Sequence, residues 1–229
     1  MSRLFRIAID GPGASGKSTT AKLLANKLGF GYIDSGAMFR AITLKCLERS
    51  VNLQNEKEVA QLTENASITF PQQGQVELDG HDVSESIRTS EVTRNTKFVA
   101  SNPMVREILA QQQRAMAKGD IPGVVMDGRD IGTVILPDAE LKVFIVADVK
   151  IRAQRRFDEL KKKQGPSFKE TLQGIQEDLE IRDLSDRTRK VAPLLQADDA
   201  VLLDTSLLTI EEQVGVIEKM VYERLSNFL

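Results

Sequence analysis

An α/β fold with a small antiparallel insert is the architecture this sequence predicts, and three observations predict it. Apolar runs of strand length, LFRIAI, GVVMD and LKVFIVA, alternate with longer stretches in which apolar residues recur at helical spacing. The first run enters a glycine-rich turn that opens directly into a helix, GKSTTAKLLANKLG. Residues 67–83, SITFPQQGQVELDGHDV, interrupt the alternation with short strand-like runs and turn signals.

Taken in order, LFRIAI is a buried-type strand, and the helix after it stops at Gly29. GYID is a short strand, followed by helices from Gly36 to about Arg49 and from about Glu56 to Asn65. A Gln-Gln-Gly turn and then an Asp-Gly turn divide residues 67–83 into a three-stranded meander. Helices are expected over 90–100 and 103–118. GVVMD and LKVFIVA then return the chain to the main sheet. Residues 149–163 and 168–184 read as helices, AVLLD as a last strand and 209–227 as a closing helix.

The 229 residues, 41% apolar and 28% charged, suffice for one sizeable core and are too polar for a membrane-embedded chain. The N-terminal apolar run is too short for a secretory or membrane-spanning segment, so a cytoplasmic location is expected. One cysteine, Cys46, and one histidine, His81, exclude an internal disulfide and any Cys/His metal cluster. His81 reads as an exposed hairpin residue. With 31 basic against 33 acidic residues there is no global field for nucleic acid, so phosphate recognition must come from local basic clusters.

Gly11, Pro12, Gly13, Ala14, Ser15, Gly16, Lys17 and Ser18, with Thr19 following, match G-x-x-x-x-G-K-[ST] between a strand and a helix. In that context backbone N–H groups and the helix N-terminus surround phosphate oxygens, Lys17 reaches the β and γ phosphates, and the Ser18 hydroxyl is a Mg²⁺ ligand. Gly11, Gly13 and Gly16 also spell G-x-G-x-x-G, with Asp34 about twenty residues on as a dinucleotide fold requires. Lys17-Ser18 directly after the last glycine favours the phosphate cradle with a metal. No N-K-x-D or D-x-x-G element of a guanine-nucleotide switch stands in a suitable place, and large mechanical ATPases need more chain. A small-molecule kinase remains.

A hydroxyl acceptor needs a carboxylate base, whereas a phosphate monoester is already ionised near neutral pH and needs cations. Arginine, the side chain suited to bidentate phosphate recognition, recurs at Arg40, Arg106, Arg129, Arg182 and Arg189. Arg182, Asp186 and Arg189, at i, i+4 and i+7, either form a salt-bridged solvent face or present charge to a ribose and a phosphate. Asp127 is either an ordinary strand terminus or a Mg²⁺-associated carboxylate. Arg152 and Arg156, one turn apart in a basic helix, are either solvated or a clamp on the transferring phosphoryl group.

Together, IAIDGPGASGKST, YIDSGAMFRA, IRTSEV, MDGRDIGTVILPDAELKVFIVA and RDLSDRTRKVAPL resemble the bacterial type of cytidylate kinase, in the same order and from about residue 3 to about 220. The resemblance implies a three-layer P-loop α/β fold with a five-stranded parallel sheet, a small antiparallel-sheet insert in the monophosphate-binding region and a short lid. The division expected is core over 1–65, insert over 66–104 and core over 105–229, with the lid at about 152–168. It implies transfer of the γ-phosphoryl group of MgATP to CMP and dCMP, by a monomer with no nucleic-acid or membrane partner. Other acceptors, such as UMP, and a nucleotide-gated binding protein without transfer are the alternatives.

Carried over by position, Ser35, Arg40, Arg129 and Arg189 resemble acceptor-phosphate ligands, Arg106 and Asp130 cytosine ligands, and Arg182 with Asp186 ribose ligands. Lys17, Arg129, Arg152 and Arg156 are the residues expected to act on the transferring group, and residues 11–19 those expected to hold ATP. Two positions depart from the family pattern. Phe39 stands where tyrosine is common, and Lys97 where some members place serine, with Ser101 one turn on.

Overall fold

The computed structural model describes residues 4–72, 74–118 and 121–226. Strands β1 (Phe5–Asp10), β2 (Gly31–Asp34), β6 (Gly123–Gly128), β7 (Leu141–Val146) and β8 (Val201–Asp204) form a five-stranded parallel sheet in the order β2-β6-β1-β7-β8. Strands β3 (Ile68–Thr69), β4 (Glu77–Leu78) and β5 (His81–Asp82) form a separate antiparallel sheet. The helices are α1 (Lys17–Leu28), α2 (Ser35–Glu48), α3 (Glu56–Glu64), α4 (Ser90–Ser101), α5 (Pro103–Met116), α6 (Val149–Gln164), α7 (Leu172–Thr188) and α8 (Ile210–Leu225).

The chain divides into two compact units. One comprises Met1–Arg6 with Ala25–Gly128, the other Ile7–Leu24 with Arg129–Leu229. In the first, β2 and β6 pair in the register Tyr32↔Val125 and Asp34↔Asp127. Helix α2 follows β2 without a loop, because the Asp34 carboxylate accepts from Ala37 N at 2.8 Å and caps it. Cys46 is buried in α2, where desolvation pushes its thiol up to about 11. His81 is exposed, and Lys45, buried in α2, anchors the small sheet through Asp79 at 2.8 Å. The expected Gln-Gln-Gly turn includes Gln73, outside the described residues.

In the second unit β7 pairs with both β1 and β8, in the registers Ile9↔Val143 and Phe144↔Leu202. Helices α6 and α7 enclose a small apolar cluster of Ala153, Leu160, Ile175 and Leu179, with Phe157, Phe168 and Ala14 packed on it. Helix α7 begins at Leu172 rather than 168, because Phe168 is held in extended backbone edge-on to Phe157 (ring centroids 5.0 Å apart) and Thr171 supplies the cap. Helix α8 likewise begins one residue after Thr209, which forms a reciprocal capping box with Glu212.

Candidate active site

The glycine-rich turn leaves the buried end of β1. A Cβ at Gly11 would stand 2.2 Å from the Ile145 carbonyl oxygen of β7, so only glycine lets the two backbones approach. Gly16 has φ +91°, and Ala14, φ 58°, also occupies the left-handed region. Ser15 Oγ donates to Pro12 O at 3.1 Å and Lys17 Nζ to the same carbonyl at 3.3 Å, which holds the lysine, 7% exposed, inside the loop. Ser18 is half-buried and Thr19 exposed. Helix α1 has no acidic residue in its first turn, so its positive end is uncompensated there.

Residues far along the chain hold this loop from behind. Thr205 Oγ1 donates to Ser15 O at 3.1 Å, and Thr20 Oγ1 to Gln213 Oε1 at 2.8 Å. Arg155 Nη2 donates to the carbonyls of Thr205 and Leu208. Arg152, 4% exposed, donates to Gly13 O at 3.1 Å and Ala147 O at 2.9 Å and pairs with Asp183 of α7 at 2.7 Å. Arg156 lies at the surface, paired with Glu159 at 2.9 Å. Neither Thr205 nor Gln213 carries a motif that would single it out in the sequence, and Asp183, although it lies within RDLSDRTRKVAPL, is given no role by that stretch.

Beside the loop stands a cluster of arginines and carboxylates. Arg129 Nε donates to Asp186 Oδ2 at 2.8 Å. Arg189 lies 3.7 Å from both Asp130 and Asp186. A Cβ on Gly13 would meet Arg129 Nη2 at 3.8 Å and Arg182 Cδ at 3.9 Å, so these side chains reach the loop itself. Burial works against the Asp186 charge, but Arg129, Arg182 and Arg189 outweigh it and hold its carboxyl below the usual carboxylate range. Three guanidinium groups thus gather with the carboxylates of Asp186 and Asp130 beside the phosphate-binding turn.

The helical spacing of Arg182, Asp186 and Arg189 persists only in part. Helix α7 ends at Thr188, and Arg189 is extended, with φ −60° and ψ 142°, its Nε donating to Ala192 O at 2.7 Å. Asp130 opens a turn unforeseen in the sequence. Residues Ile131–Ile135 form one turn of π-helix, with Ile135 N donating to Asp130 O and Leu136 N to Ile131 O.

The other predicted residues lie in the first unit. Arg40 Nη2 pairs with Asp34 Oδ2 at 2.9 Å, while its buried Nε has no acceptor among the described residues. Ser35 is buried at the first position of α2. Arg106 is 8% exposed, donates to Ala100 O at 3.0 Å, and places its guanidinium carbon 5.2 Å from the Phe39 ring centroid. Phe39 thus presents a ring face to a cation, a contact that needs no hydroxyl. Lys97 stacks on Phe98, and Ser101 Oγ donates to Phe98 O. Tyr32 donates to the buried Asp127 carboxylate at 2.8 Å. Desolvation, reinforced by Asp127 and Asp34, pushes the Tyr32 phenol far above its ordinary value, so it stays a donor.

Among the described residues no helix is long and apolar enough to cross a membrane, and no three His, Cys, Asp or Glu residues form a metal-binding group. Two solved structures, an uncharacterised Eubacterium ventriosum protein (TM-score 0.52, 13% identity, 96% of this chain and 99% of that one) and a Chloroflexus aurantiacus protein (0.51, 14%, all of both), share the fold. The cytidylate kinase family model matches residues 7–224. Cytidylate kinases of Chlorobaculum tepidum and Chloroherpeton thalassium are each 50% identical, over 94% and 99% of this chain and 92% and 97% of their own lengths. That of Bacillus cereus is 48% identical over 96% of this chain and 97% of its own. With the match spanning both the phosphate-binding turn and the arginine cluster beside it, the chain belongs to the cytidylate kinase family.

Proposed function

We propose that this chain transfers the γ-phosphoryl group of MgATP to CMP and dCMP, giving ADP and the diphosphate, in the cytoplasm and as a monomer. The observation that carries the reading is the placement of Arg129 and Arg182 against Gly13 of the phosphate-binding turn, beside the Asp186 carboxylate, on which both act together with Arg189. Residues 11–19 hold the triphosphate, with backbone N–H groups and Lys17 on its oxygens. The Ser18 hydroxyl would hold Mg²⁺, a hard cation suited to oxygen donors, which would supply charge neutralisation on the transferring group.

An oxygen of the CMP phosphate is the nucleophile and needs no base. Arg40, Arg129 and Arg189, with Ser35, hold that phosphate, and the buried Arg40 Nε supplies a donor for it. Arg106 donates to the cytosine N3 and O2 acceptors, Asp130 accepts from the amino group, and Arg182 with Asp186 takes the ribose. Residues 66–104 act as an insert closing over the monophosphate, between core segments 1–65 and 105–229, and residues 152–168 act as the lid. Within the lid, Arg156 is the arginine assigned to the transferring group. Arg152, committed to Gly13 and Asp183, acts by positioning the turn.

The test is ADP release from MgATP with CMP, dCMP, UMP, AMP and GMP offered separately. A strong preference for CMP and dCMP is expected. Activity confined to another acceptor would retain the kinase and overturn the base assignment, and ATP binding without ADP release would leave only a binding protein. In the same assay Arg129→Ala is expected to raise the KM for CMP roughly ten- to hundredfold, the worth of one charged hydrogen bond, and that for ATP far less. Equal effects on both would reject the acceptor role.

A further inference from the structure

Asp10 belongs to no part of the proposed chemistry, yet it is a charged side chain only 5% exposed, at the last position of β1. Its two carboxylate oxygens accept from Ile131 N at 2.9 Å and Gly132 N at 2.7 Å. Those are the first two N–H groups of the π-helical turn, which have no acceptor within the turn and need one from outside. Ordinarily the N-cap residue supplies it, and aspartate is among the best residues for the purpose. The N-cap residue here is Asp130, and it makes no capping bond. Its carboxylate lies instead near Arg189, 3.7 Å away. The cap comes instead from a residue more than a hundred positions earlier in the chain.

We infer that Asp10 is a positioning residue for acceptor recognition: by capping the Ile131–Ile135 turn, it fixes the backbone that carries Asp130 and so the placement of the Asp130 carboxylate toward the base of the monophosphate. The inference rests on the proposed contact between Asp130 and the cytosine amino group. Asparagine at position 10 has one acceptor oxygen and an amide N–H2 that faces one of the two donors, so half of the cap is lost and the turn that carries Asp130 is held less firmly. Gly132 offers a second way to the same joint. A Cβ there would lie 3.4 Å from Asp10 Oδ2 and 3.2 Å from Cδ of Lys142. Lys142 is itself tied to Pro137 O and Asp199, so the turn rather than the lysine is expected to give.

The experiment compares the wild type with Asp10→Asn, Gly132→Ala and Asp130→Asn, measuring KM for CMP and for ATP and the ratio of kcat/KM for CMP to that for UMP, whose ring lacks the amino donor. Asp130→Asn is expected to collapse the ratio. Asp10→Asn is expected to raise the KM for CMP about tenfold and to lower the ratio by a similar factor, with the KM for ATP within about twofold, since one charged hydrogen bond is at stake. Gly132→Ala is expected to change the same quantities in the same direction, and it carries the test alone if Asp10→Asn does not fold. If Asp130→Asn collapses the ratio and the other two leave it intact, or raise both KM values together, the positioning role is overturned while the base contact stands. If Asp130→Asn leaves the ratio unchanged, the base contact itself is wrong, and this role falls with it.

Discussion

Lys17 illustrates how single residues work in this site. Its ammonium is held within the turn by the Pro12 carbonyl, which phosphate oxygens would replace as partner when a triphosphate enters. Methionine keeps the length and apolar stem of lysine but offers no charge, so Lys17→Met is expected to lower kcat roughly a hundredfold or more while far-ultraviolet circular dichroism and melting temperature stay near wild type. Near-normal turnover would remove the phosphate role of the turn. Lys17 and its neighbours were legible in the sequence because the chemistry requires them within eight consecutive residues. Asp186 was legible as a spacing but not as a role: its pairing with Arg129 spans 57 positions, and no local pattern distinguishes such a pair from a solvated helix face.

At the scale of elements, α6 and α7 are joined to the phosphate-binding turn by one buried side chain. Arg152 meets the Gly13 and Ala147 carbonyls and the Asp183 carboxylate, and Asp183 is 7% exposed with its other oxygen lacking a hydrogen-bond partner. Arg152→Ala would leave that carboxylate buried without its counter-charge, an expected loss of about 3–5 kcal/mol by chemical denaturation. Adding Asp183→Asn should recover part of the loss, because the neutral amide is cheaper to bury. Additive losses would show that the pair is not coupled. Helix periodicity placed both elements in the sequence. The start of α7 was missed by four residues because Phe168 spends its apolar surface on Phe157, a contact that extended backbone allows and periodicity does not reveal. The π-helical turn after Asp130 was missed for the same kind of reason, since its cap comes from β1.

For the molecule as a whole, Asp10 makes stability depend on pH. Burial pushes its carboxyl up to about 7, against the lowering effect of the Gly132 and Ile131 N–H groups. Between about pH 4, where the unfolded chain loses this proton, and about pH 7, where the folded chain does, the native state binds it more tightly. Asp10 therefore favours the fold at the acid end of that window and loses this contribution as pH rises through 7. Measured from pH 5 to pH 8, the wild type is expected to lose stability relative to Asp10→Asn, by a few kcal/mol at most. Parallel curves would show that Asp10 titrates near its ordinary value in the fold.

The sequence by itself determined the α/β order, the antiparallel insert, the phosphate-binding turn and the family, because each depends on residues contiguous in the chain or on a short period. Tertiary structure alone decided which carboxylate partners which arginine, that Arg152 serves the turn, that Phe39 meets Arg106, and that Asp10 rather than Asp130 caps the turn Asp130 begins. The physical reason is that backbone propensity and hydrophobic period act over a few residues. A hydrogen bond between positions 10 and 131 exists only once the tertiary fold has brought two segments 121 positions apart within about 3 Å.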